Sequence, residues 1–90
     1  MVYSEVKDLE FKNTVIRTFS SDIVQEDLVW VVSDENIIIE PLHGNNWKIQ
    51  FENMIPQNIN EKVAIRKKEN YKLIKGSGCL KIRIYKSWIH

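Results

Sequence analysis

The sequence predicts an all-β fold, a small barrel or sandwich of about seven to nine short antiparallel strands. Three observations predict it. Short runs rich in β-branched and aromatic residues recur along the chain, Gly, Asn, Pro and Ser clusters separate them, and no 3.6-residue apolar period outlasts one turn. Ninety residues make one domain, and a chain this short hides only about 60–65% of its unfolded surface, so the core must be nearly continuous. Closing the sheet into a barrel would remove strand edges that so short a chain has little material to cover.

Residues 30–51 are the centre of the pattern. Three apolar runs separated by two turn signals read as a β-meander, and the last run alternates Trp47, Ile49 and Phe51 with Lys48 and Gln50. Before it, residues 2–11 keep no period and suit an edge strand or an ordered arm. TVIRTF at 14–19 is β-branched and reads as a strand. Ser20, Ser21 and Asp22 leave room for at most one helical turn, with Asp22 or Gln25 near its start. Residues 28–32 are apolar throughout, as expected of a strand covered on both faces or shielded by the N-terminal arm. Residues 33–36 form a polar turn, residues 37–39 a strand that Pro41 ends or bends, and residues 43–46 a tight turn.

Residues 54–60 connect to a short strand at 62–65 with Val63 and Ile65 on one face, and residues 66–70 are exposed. Residues 71–75 and 80–85 flank Gly76–Cys79 and read as a hairpin. Its register sets Leu73 opposite Ile82 and Tyr71 opposite Ile84. Tyr71, Leu73, Leu80, Ile82 and Ile84 then share one face, and Lys72, Lys81 and Arg83 share the other. Trp88 and Ile89 in the tail fold back on the domain or meet a partner chain.

From residue 28 to residue 85 this order of segments resembles small single-domain cupins of the kind found in marine bacteria and their phages. The residues that carry the likeness are LVW, the GNNWKIQFEN turn and strand, Ile55-Pro56, and YKLIKGSGCLKIRIY. The resemblance implies a jelly-roll type β-barrel, and between Pro56 and Ala64 the chain is shorter than the family pattern. Cupins usually hold a divalent metal with a His-x-His pair, an acidic residue and a late histidine. Here those positions read Val31, Ser33, Asn36 or Ile37, and Tyr71, and Arg66-Lys67-Lys68-Glu69 replaces the turn before the late histidine. The resemblance therefore implies the fold and argues against a metal.

The residues read by themselves agree. The two histidines stand in a predicted turn (His43) and at the end of the sequence (His90), and no spaced set of ligand types occurs. Cys79 has no predicted histidine neighbour to activate it, and Glu35, Glu40 and Glu52 read as solvated turn residues. The reading is therefore non-enzymatic, with no cofactor. Ser33, Trp47 and Tyr71 are the candidate polar handles on a small-ligand pocket, weighed against simple core or rim roles.

The charge is uneven. Residues 1–60 carry four basic and ten acidic side chains, a balance of −6; residues 61–90 carry nine basic and two acidic, a balance of +7. Two regions that complement each other within one fold or across a dimer would explain this, and a nucleic-acid surface using Lys72, Lys81, Arg83 and Tyr85 is the alternative. Val2, Val6, Phe11, Trp88 and Ile89 are spare apolar groups for a homodimer. No apolar run is long enough to span a bilayer, and the N-terminal residues lack an apolar signal core, which places the chain in the cytoplasm.

Overall fold

Period-two alternation fixes which side chains of a strand share a face, and here it produces two antiparallel sheets. The structure, a computed structural model, describes residues 3–86. Within them lie β1 (Tyr3–Lys7), β2 (Thr14–Phe19), β3 (Val31–Val32), β4 (Ile37–Asn45), β5 (Lys48–Phe51), β6 (Gln57–Asn58), β7 (Val63–Ile65), β8 (Asn70–Ile74) and β9 (Ser77–Lys86). The one helical segment among them is a 3₁₀ turn, Gln25–Asp27. One sheet has the order β1-β2-β9-β4-β7 and the other β3-β8-β5-β6.

This order is that of a single long ribbon. β2 pairs with β9, β3 with β8, β4 with β7 and β5 with β6, so the second half of the chain runs back along the first. Its register is unbroken across a sheet change: Val32 lies opposite Asn70 and, five positions further along each strand, Ile37 lies opposite Ile65. The ribbon then folds on itself by pairing β4 with β9 and β5 with β8. The result is a jelly-roll winding with β1 added at one edge.

The inner faces meet in one core. Phe19, Ile39, Ile65, Leu80 and Ile82 come from the five-stranded sheet, Ile49, Tyr71 and Leu73 from the other, and Trp47, Ile23, Leu28 and Ile59 from the connections. The alternations read at residues 47–51, 71–75 and 80–85 therefore place the correct side chains inward. Trp47 is 1% exposed and its indole N–H donates to the Gly78 carbonyl at 3.3 Å.

Partners differ from the sequence reading. The segments read as a hairpin at 71–75 and 80–85 belong to different sheets: β8 pairs with β3 and β5, and β9 pairs with β2 and β4. The meander at 30–51 is likewise no meander, because β3 and β5 lie in one sheet and β4 in the other. The run at residues 28–32 is not a strand covered on both faces: Leu28 is buried, while Val29, Trp30 and the edge strand Val31–Val32 are exposed. The tight turn read at 43–46 is displaced, since His43, Gly44 and Asn45 continue β4 past a bulge and the chain turns at Asn46, whose φ is 58°. Pro41 sits two residues beyond the end of the β7 pairing, where its missing N–H costs no ladder bond on that side. Alternation identifies the inward face and is silent on the neighbour.

The chain changes sheet at Gly76 for a steric reason. A Cβ there would collide with the backbone of Asn45, Asn46 and Trp47, closer than real Cβ atoms approach, so the β8–β9 crossing lies directly against the β4–β5 crossing. Gly78, at φ 71°, has open space around it. Urea unfolding should accordingly show Gly76→Ala losing more than about 3 kcal/mol and Gly78→Ala losing about 1 kcal/mol, the usual cost of a left-handed alanine. Equal losses at the two glycines would contradict the stacked crossings.

Candidate functional site

The three interior candidates do not surround a common cavity. The Ser33 hydroxyl is buried and donates to the Glu35 carbonyl at 2.5 Å, closing its own turn. Trp47 fills the core. Tyr71 borders a small apolar cleft where the sheets part between β2 and β3, of about 140 Å³, together with Phe19, Leu28, Val31 and Leu73. Burial pushes the Tyr71 phenol above its ordinary range, with the nearby Arg17 charge acting the other way. Val31 and Tyr71, which stand where the resemblance looks for metal ligands, are cross-strand partners. They supply hydrocarbon and phenol, and among the described residues no group of three His, Cys, Asp or Glu side chains is placed to hold a metal ion. His90 lies outside the described residues, as do Val2, Trp88 and Ile89.

The larger concavity lies outside the sandwich. Leu80, Ile82 and Ile84 turn inward from β9, so Lys81, Arg83 and Tyr85 turn out. The β1–β2 loop folds over this outer face: Asp8 pairs with Arg83 at 2.9 Å, and the Arg83 guanidinium lies 5.2 Å from the Phe11 ring centre. A hydrogen bond from the Asp8 N–H to the Thr14 carbonyl pins the loop's ends, and Asn13 closes it at φ 56°. Between loop and sheet opens a cleft of about 450 Å³ lined by Phe11, Lys12, Asn13, Thr14, Glu40, Lys62, Arg83, Tyr85 and Lys86.

Arg83 is the floor of this cleft, and two of its three guanidinium nitrogens are engaged by acids. Glu40, its cross-strand partner, accepts from one arm at 2.7 Å and Asp8 from another. Glu40 first, then Asp8, raise the guanidinium pKa, so the charge is fixed at any accessible pH. Lys62 adds a looser contact to Glu40 at 3.8 Å and sits 5.9 Å from the Tyr85 ring centre. Lys86 pairs with Glu35 at 3.3 Å. Among the described residues Lys12 has no ion pair.

The four proposed nucleic-acid contacts are therefore split. Arg83 and Tyr85 are in the cleft, and Lys81 is exposed further along the same outer face. Lys72 is not with them, because β8 belongs to the other sheet, where its ammonium lies 5.0 Å from the Trp30 ring centre. Glu40, read as a solvated turn residue, is a half-buried partner of Arg83. Cys79, read as a turn residue with no histidine near it, lies on β9 beside β4, where His43 stands opposite Lys81, two positions away.

Sequence reasoning missed Phe11, Lys12, Asp8 and Lys62, since the loop that carries three of them shows no period. The charge imbalance was the signal for Asp8 and Lys62, since the pairs Lys62–Glu40, Arg83–Asp8, Arg83–Glu40 and Lys86–Glu35 all join a base after residue 60 to an acid before it; Phe11 was read only as a spare apolar group for a dimer, and Lys12 had no signal.

Comparison with known proteins adds the fold alone. No protein-family model matches the chain, and no curated protein matches its sequence. A solved structure, protein NMB1881 from Neisseria meningitidis, superimposes with a TM-score of 0.60 at 11% identity, over 94% of this chain and 82% of that one. Its likeness is one of fold.

The Asp8 side chain is 4% exposed. The Glu10 N–H, and then the Arg83 guanidinium, hold its carboxyl below the ordinary value of 3.8, against burial, which acts upward. A depressed carboxyl contributes stability above its unfolded pKa and loses it as pH falls through the folded value. Thermal melts should therefore fall below pH about 4 more steeply for the wild type than for Asp8→Asn, which starts lower at neutral pH. Parallel curves would mean that the loop is held by something else.

Proposed function

We propose that this protein is a non-catalytic binding module that holds a small anionic ligand with a planar group in the cleft between the β1–β2 loop and β9. The observation that carries this reading is the cleft itself. Its volume of about 450 Å³ falls within the usual range of small-molecule sites, about 300–1,000 Å³. Phe11 and Tyr85 supply aromatic surface for a flat group; at the rim Lys62 and Lys86 already hold Glu40 and Glu35, and Lys12, without an ion pair among the described residues, supplies the cation for one small anion. Arg83 serves to fix the loop, since both its acidic partners are already in place. The resemblance to cupins supports a metal-free relative of that family, with the ligand outside the sandwich because Trp47 and its neighbours fill the inside.

Single-stranded nucleic acid is the second reading, and Lys81 favours it by extending the basic face beyond the cleft. Charge weighs against it. Asp8, Glu40 and Glu35 offset Arg83, Lys62 and Lys86, so the surplus is small, whereas backbone tracking needs several uncompensated cations.

Calorimetry with adenosine monophosphate and with a short oligodeoxynucleotide separates the two readings. A mononucleotide should bind, and Tyr85→Ala should weaken it about tenfold, in keeping with roughly 1–3 kcal/mol for a base stacked on an aromatic ring. Affinity that grows with oligonucleotide length and collapses with added salt would favour the polynucleotide instead. Absence of binding at millimolar ligand, or indifference to Tyr85→Ala, would remove the small-anion reading.

A further inference from the structure

The free edge of the four-stranded sheet carries a surface that the outer cleft does not use. Val29, Trp30, Val31 and Val32 are 63%, 46%, 42% and 56% exposed, four apolar residues in succession at β3. Soluble proteins blunt such edges with lysine, proline or a bulge, and none stands at these four positions. The backbone is open as well. The Ser33 N–H donates to the Glu69 carbonyl at 3.1 Å, and β3 runs antiparallel to β8 with Val31 opposite Tyr71. Bonded and non-bonded residues alternate along an antiparallel strand. Val31 and Ser33 therefore direct their N–H and C=O groups to β8, and Trp30 and Val32 direct theirs outward. Beside this edge lies the cleft of about 140 Å³, mostly apolar in its surface, between Phe19, Leu28, Val31, Tyr71 and Leu73, with Arg17, Asp27 and Lys72 also bordering it.

We propose that β3 is a docking edge for an extended segment of another protein, which adds to the sheet as a further strand. The segment has apolar residues at its centre and lysine or arginine at both ends. Main-chain bonds to Trp30 and Val32 hold it, and the side chain it sets beside Val31 enters the cleft, which has room for one apolar group.

Charge selects this occupant over a second copy of the chain. Exposed Glu26 and Asp27 precede the apolar run, and exposed Asp34 and Glu35 follow it. In a two-fold antiparallel pairing of this run, the end that carries Glu26 and Asp27, in the 3₁₀ turn, meets the end of the second copy that carries Asp34 and Glu35, acid against acid at both ends. Like charges directly opposite destabilise a strand pair, and opposite charges stabilise it. Lys86 already pairs with Glu35 and Lys72 lies over the Trp30 ring at the middle of the run, so the attraction for basic ends rests on Glu26, Asp27 and Asp34 at the two ends of the run.

The test is fluorescence anisotropy with two labelled peptides, each alternating valine and threonine, one with lysine pairs at its ends and the other with glutamate pairs. The lysine-ended peptide should bind at least about tenfold tighter. Val32→Pro removes an outward N–H and leaves the β8 bonds in place, so it should cost about tenfold in affinity with an unchanged melt. Should that variant fail to fold, Val32→Lys, which places a cation against the basic ends, must weaken binding instead. Equal affinity for the two peptides, no binding of either, or variants that fold and bind as the wild type does would overturn the proposal. A sedimentation dimer that Val32→Lys dissociates would overturn it in favour of a second copy.

Discussion

Two crossings of the chain, stacked at one end of the sandwich, govern the rest of the structure. β4 leaves the five-stranded sheet for β5 at Asn46, and β8 leaves the four-stranded sheet for β9 at Gly76, in contact with the first crossing. With a side chain at Gly76 the two crossings could not lie together. Trp47 then occupies the corner they enclose, closing the end of the core with its indole N–H bonded to Gly78. Asn45 opposite Ser77 is the last ladder pair before the corner, so the register of β4 against β9 is tied to the same point. A ribbon can fold over in this way only where its backbones approach closely, which is why a glycine stands there rather than in a hairpin loop.

The same winding explains the distribution of charge. A ribbon pairs the first half of the chain with the second, so an acidic first half and a basic second half become neighbours throughout. Glu40 faces Arg83 because β4 faces β9, and Asp8 reaches the same guanidinium because the β1–β2 loop crosses the outer face. The looser pairs at the rim, Lys62–Glu40 and Lys86–Glu35, contribute little each, about 0–1 kcal/mol. The larger effect is local order at Arg83, whose charge-assisted bonds to Asp8 and to Glu40, with the Phe11 ring against the guanidinium, hold the loop in one place. An ordered loop is what turns a flat sheet face into a cleft.

How much of this was legible follows from which signals are local. The inward sets Trp47, Ile49 and Leu80, Ile82, Ile84 were readable, because alternation along a strand is set by neighbouring residues. The turn at Gln25 and the β-branched strand at 14–19 were readable for the same reason. Partner choice was not: Tyr71 pairs with Val31 and Phe51, far away in sequence, while the nearby Leu80–Ile84 run lies in the other sheet. The β8–β9 connection carries the glycines of a hairpin turn, and only the close approach at Gly76 distinguishes a crossing from a loop. The outer cleft was half visible, in Arg83 and Tyr85, and the loop that completes it has no period to read. Lys72 was grouped with them through the assumed hairpin, and it left the group when that pairing failed.

Size decides where such a fold has surface to offer. The nine strands among the described residues leave an interior that Trp47, Phe19, Tyr71 and a shell of isoleucine and leucine fill, so an interior site would require removing large core side chains. Filling a void of that kind is worth about 3–5 kcal/mol for a tryptophan, a large share of the roughly 5–15 kcal/mol that holds a domain together. Stability thus opposes an internal pocket. The outside is not bound by that limit: a loop laid across a sheet creates concavity without emptying the core, and a strand left unpaired at an edge offers backbone groups already aligned. Of the two, the cleft over β9 stands away from the tryptophan corner, whereas the β3 cleft shares Phe19, whose ring lies 6.0 Å from that of Trp47; the exposed faces of Trp30 and Val32 are the part of that edge that can change without loosening the crossings that hold the sheets together.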